Sequence, residues 1–361
     1  MIPFEQPGRG FSLRRNREAD PHHERCFAAT LEAVFDPRGS SGAVIYTENM
    51  LLDDDCQEGG PSGEIAATTA GNGGLRYEDF IHFFQAQYTR ASIEAFSLAN
   101  AGKSYRDAGL ANPSRAIVFG RMAELFNEPL LHRGSLSLES ALKRLGRQLY
   151  WGVTDWPLVD ESNDPLGEGE VAEFKIGSHW DCHGFQTKGV LLELSPKVLA
   201  NSRGKAKAHG HIIPPPYIYA AVVKLEEGIN VVTHFLRVPA YAYGGSIFLI
   251  ESEAERCSVQ FAHAAGVALV KLHVSGDLRA LGEKLWPFRT DAMGRLPNRP
   301  DAIAFIEGKV RIFYITDSSD GEYLKRVAES VAELQLFLAH PDVLVLPKTA
   351  ESFVDGSWLQ L

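Results

Sequence analysis

Apolar residues recur along this chain with two different periods, one typical of helices and one of strands. The helical spacing of three and four occupies the stretches at 22–35, at 77–99, from Asn112–Pro113 onward, at 137–150, at 251–265 and around 324–338. Runs rich in Val, Ile and Tyr predict strands at 153–159, 171–176, 217–225, 229–238 and 266–274, and a hairpin and a last strand after Ser275. This mixture predicts an α/β protein with a mixed central sheet flanked by helices.

The order of these stretches suggests three parts. Residues 1–125 are predicted to be mainly helical, 126–274 to form the core, and 275–361 to add an α/β extension packed on that core. The runs at 217–225 and 229–238 alternate poorly, which is typical of strands that are buried on both faces.

Two of the predicted strands carry charges that a buried sheet would not tolerate without a partner. In the run 171–176, Glu173 and Lys175 share one face of the strand and apolar residues share the other. Asp155 lies in an earlier apolar run, and the turn-rich sequence DESNDPLGEGE between the runs predicts a hairpin that brings Asp155 beside Glu173. The sequence therefore predicts an aspartate, a glutamate and a lysine converging on one point.

Three short motifs strengthen this interpretation: TDW at 154–156, AEFK at 172–175 and DCHGF at 181–185. Together they resemble the active-site region of the PD-(D/E)xK nuclease superfamily, and in particular that of type II restriction endonucleases of the NotI kind. The resemblance covers about forty residues and implies a restriction-endonuclease-like core. It also implies cleavage of double-stranded DNA by a homodimer, with a cognate DNA methyltransferase that protects the host.

The implied chemistry is hydrolysis of a phosphodiester with Mg²⁺. Asp155 and Glu173 would hold the ion, because Mg²⁺ prefers carboxylate oxygens and keeps several waters. Lys175 would help to deprotonate the attacking water or would stabilise the transition state. Asp160 rivals Asp155 as the first ligand. Supporting roles fall to three further residues of the same region, Glu139, Asp181 and His183.

Overall charge and local charge point in different directions. The net charge of −10 argues against a protein that coats nucleic acid by electrostatics alone. A sequence-specific nuclease needs only a locally basic cleft. The loop NSRGKAKAHGH supplies Arg203, Lys205 and Lys207 as DNA-binding candidates, although a solvated loop would look the same.

Cysteine usage and hydropathy suggest the compartment. The four cysteines are widely spaced and include no CxxC pair, which argues against a zinc knuckle and against a secreted disulfide framework. No signal-peptide pattern and no run of eighteen apolar residues is found in the sequence. We therefore expect a cytoplasmic protein.

Other functions compete for the same stretch. His179, Asp181 and His234 match the HxD and distant His pattern of an iron/2-oxoglutarate-dependent oxygenase, but no suitably spaced arginine follows His234. The DCHGF motif also resembles the nucleophile motif of papain-like cell-wall peptidases, with Cys182 attacking. A non-catalytic DNA-binding protein on a nuclease fold is the remaining alternative.

The C-terminal part repeats the outline of the nuclease pattern without completing it. Pro300–Asp301 precedes a strand, but Tyr314, Ile315 and Thr316 stand where an acid, any residue and Lys would be required. The sequence therefore predicts a structural or DNA-contacting role for this part, and no second active centre.

Overall fold

The computed structural model describes a large part of the chain, with gaps. The described residues are 2–6, 10–14, 77–128, 137–144, 146–155, 172–182, 184, 186–194, 198, 207–208, 211–226, 228–273, 278–286, 299–316, 321–338 and 342–349. Residues 1–43 form one unit, in which β1 (Ile2–Gln6) pairs antiparallel with β2 (Gly10–Arg14). Residues 44–361 form the other.

Strands from the middle of the chain form a curled, mainly antiparallel sheet. These strands, with the short pair β6 and β7 between them, are β3 (Arg147–Thr154), β4 (Ala172–Asp181), β5 (Gln186–Leu194), β6 (Lys207–Ala208), β7 (His211–Ile212), β8 (Tyr217–Glu226), β9 (Ile229–Tyr243) and β10 (Ser246–Leu249). The sheet order is β10-β9-β5-β4-β3-β8, and β8 pairs again with β9. Five of the strands therefore close into a barrel, which we call the β-barrel.

The β-barrel has apolar residues on both faces, as the poor alternation predicted. Ile218, Ala220 and Val222 of β8 join an outer core against the helices, whereas Tyr219 and Ala221 join an inner core with residues of β5 and β9. The prediction that β8 and β9 are buried on both faces is confirmed.

Helices cover the outer face of the β-barrel. They are α1 (Tyr77–Ala99), α2 (Arg115–Asn127) and α3 (Leu138–Arg144). The N-terminal half of α1 buries Phe84 and Tyr88 in the outer core. Its C-terminal half buries Ile93 and Phe96 in a separate core built on the next sheet. This helix therefore connects the β-barrel to the C-terminal part of the unit.

The C-terminal part is a four-stranded mixed sheet with helices. Its elements are α4 (Glu253–Ala264), β11 (Ala268–Lys271), a 3₁₀ turn (Leu278–Leu281), α5 (Gly282–Leu285), β12 (Ala302–Ile306), β13 (Lys309–Thr316), α6 (Gly321–Leu338) and β14 (Val343–Thr349). The order is β11-β12-β13-β14, with antiparallel pairs up to β13 and a parallel β13–β14 pair. The predicted mixed α/β character is confirmed.

Two predicted helix limits are wrong. The helix predicted over 137–150 ends at Arg144, because Gly146 turns the chain with a φ of +64° and β3 begins at Arg147. The helix expected to begin at Asn112–Pro113 begins at Arg115 with Ser114 as its cap. The amide of Asn112 instead donates to Val267 O and accepts from Leu269 N, so it fixes the start of β11. The helix predicted at 22–35 lies outside the described residues.

Candidate active site

The predicted trio lies on the β-barrel. Asp155 is exposed and directly follows β3, and Glu173 and Lys175 lie near the start of β4. The two strands are adjacent and antiparallel, as predicted. The pairs between them include Tyr150 with Asp181, the last residue of β4. The side chains of Glu173 and Lys175 lie outside the described residues. Their convergence with Asp155 stays a prediction.

The other predicted site residues are described only in part. Outside the described residues lie Asp160, His183, Arg203 and Lys205, and Lys207 is described only as a backbone position in β6. Glu139 lies in the first turn of α3, half-buried, and its charge helps to raise the pKa of the Cys182 thiol. Asp181 is the last residue of β4, and its charge helps to raise the pKa values of Tyr150 and Cys182. Burial lowers the pKa of His179, and the charge of Asp181 opposes this.

The geometry does not support an iron site at the two histidines. His179 on β4 stacks edge-on against Tyr150, which packs on the inner core, at a ring distance of 4.4 Å. His234 on β9 pairs with Val222, which belongs to the outer core. Since paired residues of neighbouring strands share a face, His234 lies on the outer face of the β-barrel and His179 lies on the inner face. The residues of the oxygenase alternative are therefore not assembled.

Cys182 is not placed to act as a nucleophile. Its side chain is buried in the outer core. Burial raises the pKa of its thiol far above the ordinary value, and the charges of Glu139 and Asp181 raise it further. Since the thiolate is the nucleophilic form, this environment does not favour the peptidase alternative.

A group of buried and half-buried charged side chains lies in the C-terminal part of the unit. We call it the charged cluster, and its members are Glu251, Glu255, Lys271, His273, Arg299 and Asp301. They come from the segment after β10, the first turn of α4, the end of β11 and the start of β12. Buried charges are costly unless they are paired, so a cluster of this size requires an explanation.

The deepest members are a lysine and a glutamate. Lys271 Nζ lies 3.0 Å from Glu255 Oε2, and their side chains are 1% and 5% exposed. Glu255 Oε2 also accepts from the Glu251 backbone N–H at 2.8 Å, and the Glu255 N–H donates to Ser252 Oγ. The Ser252–Glu255 spacing is that of a capping box. Capping accounts for a glutamate at this position but not for the buried lysine beside it.

Asp301 contributes a second carboxylate. Its Oδ2 accepts from the Ile315 backbone N–H at 2.5 Å, and Lys271 pairs in register with Ala302, the next residue after Asp301. Burial raises the pKa of Asp301, while the charge of Lys271 lowers it. Two acids and a lysine thus lie at one end of the mixed sheet, where β11 and β13 end and β12 begins.

Glu255 and Lys271, which we call the inner pair, are only partly stabilised as charged groups. Burial raises the pKa of Glu255 to about 7, against the opposing effect of Lys271. The ammonium of Lys271 has no well-directed hydrogen bond, although it is fully buried. The protein's own groups therefore compensate the charge of Glu255 only in part and leave the Lys271 ammonium without a well-directed hydrogen bond.

The outer members form a bidentate ion pair. Arg299 donates to Glu251 Oε2 at 2.8 Å and Oε1 at 3.2 Å, and also to His273 O at 2.6 Å. The side chains of Arg299 and Glu251 are 30% and 36% exposed. Burial raises the pKa of Glu251, but the hydrogen bond to His273 and the charge of Arg299 lower it by more. The pKa of Glu251 is therefore below its ordinary value. The charged cluster therefore has an accessible outer pair and an enclosed inner pair.

The donor set of the inner members suits a hard divalent cation. Mg²⁺ takes one or two protein carboxylates and keeps several waters, and Glu255 and Asp301 provide two. Among the residues that the structure describes, no three His, Cys, Asp or Glu side chains form a ready-made metal-binding group. A cation here would thus be held by few protein ligands, with water and substrate completing its shell.

Sequence reasoning noticed one half of this cluster and missed the other. Pro300–Asp301 matches the start of the nuclease pattern, which requires an acid and a lysine on the strand that became β13. The lysine comes instead from β11, on the other side of β12. The lone lysine in the apolar run GVALVKL was the available signal.

Comparisons with known proteins give the chain no relatives: no protein-family model, no curated protein and no solved structure matches it. Within the described ranges, none of the helices has the length and apolar character needed to cross a membrane.

Proposed function

We propose that this protein is a Mg²⁺-dependent nuclease that hydrolyses phosphodiester bonds in duplex DNA, with its reaction centre at Glu255, Asp301 and Lys271. The observation that carries the proposal is a buried lysine paired with one acid and electrostatically coupled to another. Two acids and a lysine are the groups that the nuclease resemblance calls for.

The surrounding fold supports the same proposal. From α4 to β14 the order is a helix, a strand, a 3₁₀ turn and a short helix, two strands, a helix and a last strand, and the sheet is mixed and flanked by helices. A mixed sheet flanked by helices is compatible with the core that the resemblance implies. Pro300–Asp301 stands directly before β12, in keeping with the acid of the nuclease pattern.

The chain's own groups have distinct roles in this proposal. Asp301 and Glu255 would hold Mg²⁺, which would supply an acidified water and neutralise charge on the phosphate. Lys271 provides a positive charge in a low-dielectric setting, where it stabilises developing negative charge most effectively. Glu255 is held in place by the Glu251 backbone N–H. Asp301 is held in place by the Ile315 N–H.

The β-barrel would then contact the DNA. Glu173 and Lys175 belong to its strand β4, and Asp155 directly follows β3. In the sequence, the DNA-binding candidates Arg203, Lys205 and Lys207 fall between β5 and β8. Cleavage of both strands would require two reaction centres, as in a homodimer. A methyltransferase would protect the host DNA if the enzyme recognises a specific site.

Digestion of supercoiled plasmid by the full-length chain tests this proposal. We expect nicked and linear products with Mg²⁺ and none with EDTA. Asp301→Asn and Glu255→Gln should each slow cleavage by about 100-fold or more, as expected for loss of a metal ligand. Glu329→Gln, which removes an exposed carboxylate on α6, is the matched control. Cleavage by Asp301→Asn at the wild-type rate would contradict the assigned centre.

A further inference from the structure

We infer that Arg299 is the phosphate-binding residue of this site, and that Glu251 holds its guanidinium in place until the DNA phosphate replaces the carboxylate. The inference rests on the proposed function, since it takes a phosphodiester as the ligand. It adds a substrate-binding group to the acid and lysine centre, and it gives the outer ion pair a purpose.

The first argument is geometric. Arg299 presents its two terminal nitrogens to the two oxygens of Glu251, and one of these nitrogens is also fixed by His273 O. A planar guanidinium binds carboxylate and phosphate oxygens with the same two-pronged geometry. A phosphate could therefore replace the carboxylate without reorienting the arginine.

The second argument is position. Arg299 and Glu251 are about one-third exposed, whereas Lys271 and Glu255 behind them are almost fully enclosed. The chain also links the two layers, because the Glu251 N–H donates to the Glu255 carboxylate. A phosphate that reached the inner pair from solvent would meet the outer pair first.

The third argument is charge. With all groups ionised, Glu251, Glu255 and Asp301 outweigh Lys271 and Arg299 by one negative charge, which repels a phosphate. A divalent cation bound by the inner carboxylates reverses the sign to one positive charge. The exchange of Glu251 for phosphate at Arg299 is therefore expected only when the metal is present.

Fluorescence anisotropy with a labelled 20-base-pair duplex measures this contact without requiring cleavage. Ca²⁺ replaces Mg²⁺, since it takes the same oxygen ligands, and Kd is followed against KCl concentration. Arg299→Ala should weaken binding about 10-fold and lower the salt slope by about one, as expected for one lost phosphate contact. Arg299→Lys keeps the charge but not the fork, so it should retain the slope and lose about 3-fold in affinity.

Glu251→Gln separates binding from structural support. It removes the competing charge while keeping a hydrogen-bond acceptor, so the proposal expects binding about 5-fold tighter than wild type, at about 1.4 kcal/mol per factor of ten. If the pair only supported the fold, Glu251→Gln would weaken binding as Arg299→Ala does. Opposite effects of the two variants thus support the inference, and parallel weakening overturns it.

Arg106→Ala is the matched control, because Arg106 forms a comparable ion pair with Asp342, at 2.6 Å, outside the charged cluster. It should leave both Kd and the salt slope unchanged. Wild-type binding by Arg299→Ala would overturn the inference whatever the cleavage assay gives. A chain that binds through Arg299 but does not cut would instead contradict the proposed function alone.

Discussion

Replacing Glu255 by glutamine should stabilise the protein at alkaline pH. In the folded state burial raises the pKa of Glu255 to about 7, from an ordinary value of 4.5. The folded protein therefore binds this proton more tightly than the unfolded chain does. The contribution of Glu255 to stability is therefore fully present below pH 4.5 and is lost as the pH rises from 4.5 through about 7.

The size of the effect follows from the two pKa values. Each pH unit between 4.5 and about 7 removes about 1.4 kcal/mol of the free energy of unfolding, so the total loss is about 3 kcal/mol. Asp301, whose pKa is also raised, changes stability in the same direction. The lowered pKa of Glu251 acts only below 4.5. Glutamine resembles the protonated acid and preserves the capping interaction, since capping boxes accept Glu or Gln.

Urea unfolding at pH 5 and pH 8, followed by tryptophan fluorescence, measures the difference. Relative to wild type, Glu255→Gln should gain less than about 1 kcal/mol at pH 5 and about 3 kcal/mol at pH 8. Glu329→Gln on the exposed face of α6 should stay within about 0.5 kcal/mol of wild type at both pH values. If Glu255→Gln were destabilised equally at both, the Lys271 pair would outweigh burial and the reasoning would fail.

Three further variants test other features of the structure. In urea titrations, the free energy of unfolding of Asp301→Ala should be about 1–3 kcal/mol lower than that of Asp301→Asn, because only asparagine still accepts from the Ile315 N–H. Equal stabilities of the two variants would refute this prediction. Gly152→Ala should cost about 1–3 kcal/mol by the same measurement, since its Cβ would lie 2.8 Å from the Tyr219 ring, and an unchanged midpoint would show that the ring yields freely. Cys182 should resist a thiol reagent at pH 8 until the protein unfolds, because it is buried and its pKa is raised, and Cys182→Ala should cleave plasmid normally; rapid labelling of native protein would revive the peptidase alternative.

Local pattern was sufficient for most elements of the fold. The strands at Tyr217–Glu226 and Ile229–Tyr243 and the helix at Gly321–Leu338 lie where the apolar periods predicted them. The helix predicted over 137–150 is too long, because the apolar positions after Arg144 fit the strand period as well as the helix period. Gly146, with its positive φ, turns the chain into β3. Closure of the β-barrel depends on the pairing of β5 with β9, a long-range contact that no local period encodes.

The charged cluster was harder to predict than the fold. Its members are spread over fifty residues of sequence, and the residue types were sought along one strand. In the folded chain Lys271 reaches the site from β11, while Glu255 reaches it from a helix N-terminus where capping explains it equally well. Proximity in the sheet, and not spacing in the sequence, assembles these residues.

The most direct test is to compare the initial rates of plasmid cleavage by Lys271→Met and Lys175→Met at saturating Mg²⁺. Methionine keeps most of the apolar stem and removes the charge. The account predicts that Lys271→Met loses cleavage by about 100-fold or more, while Lys175→Met keeps its catalytic rate and at most binds DNA more weakly. Full activity of Lys271→Met together with an inactive Lys175→Met would move the reaction centre back to the β-barrel and contradict the account.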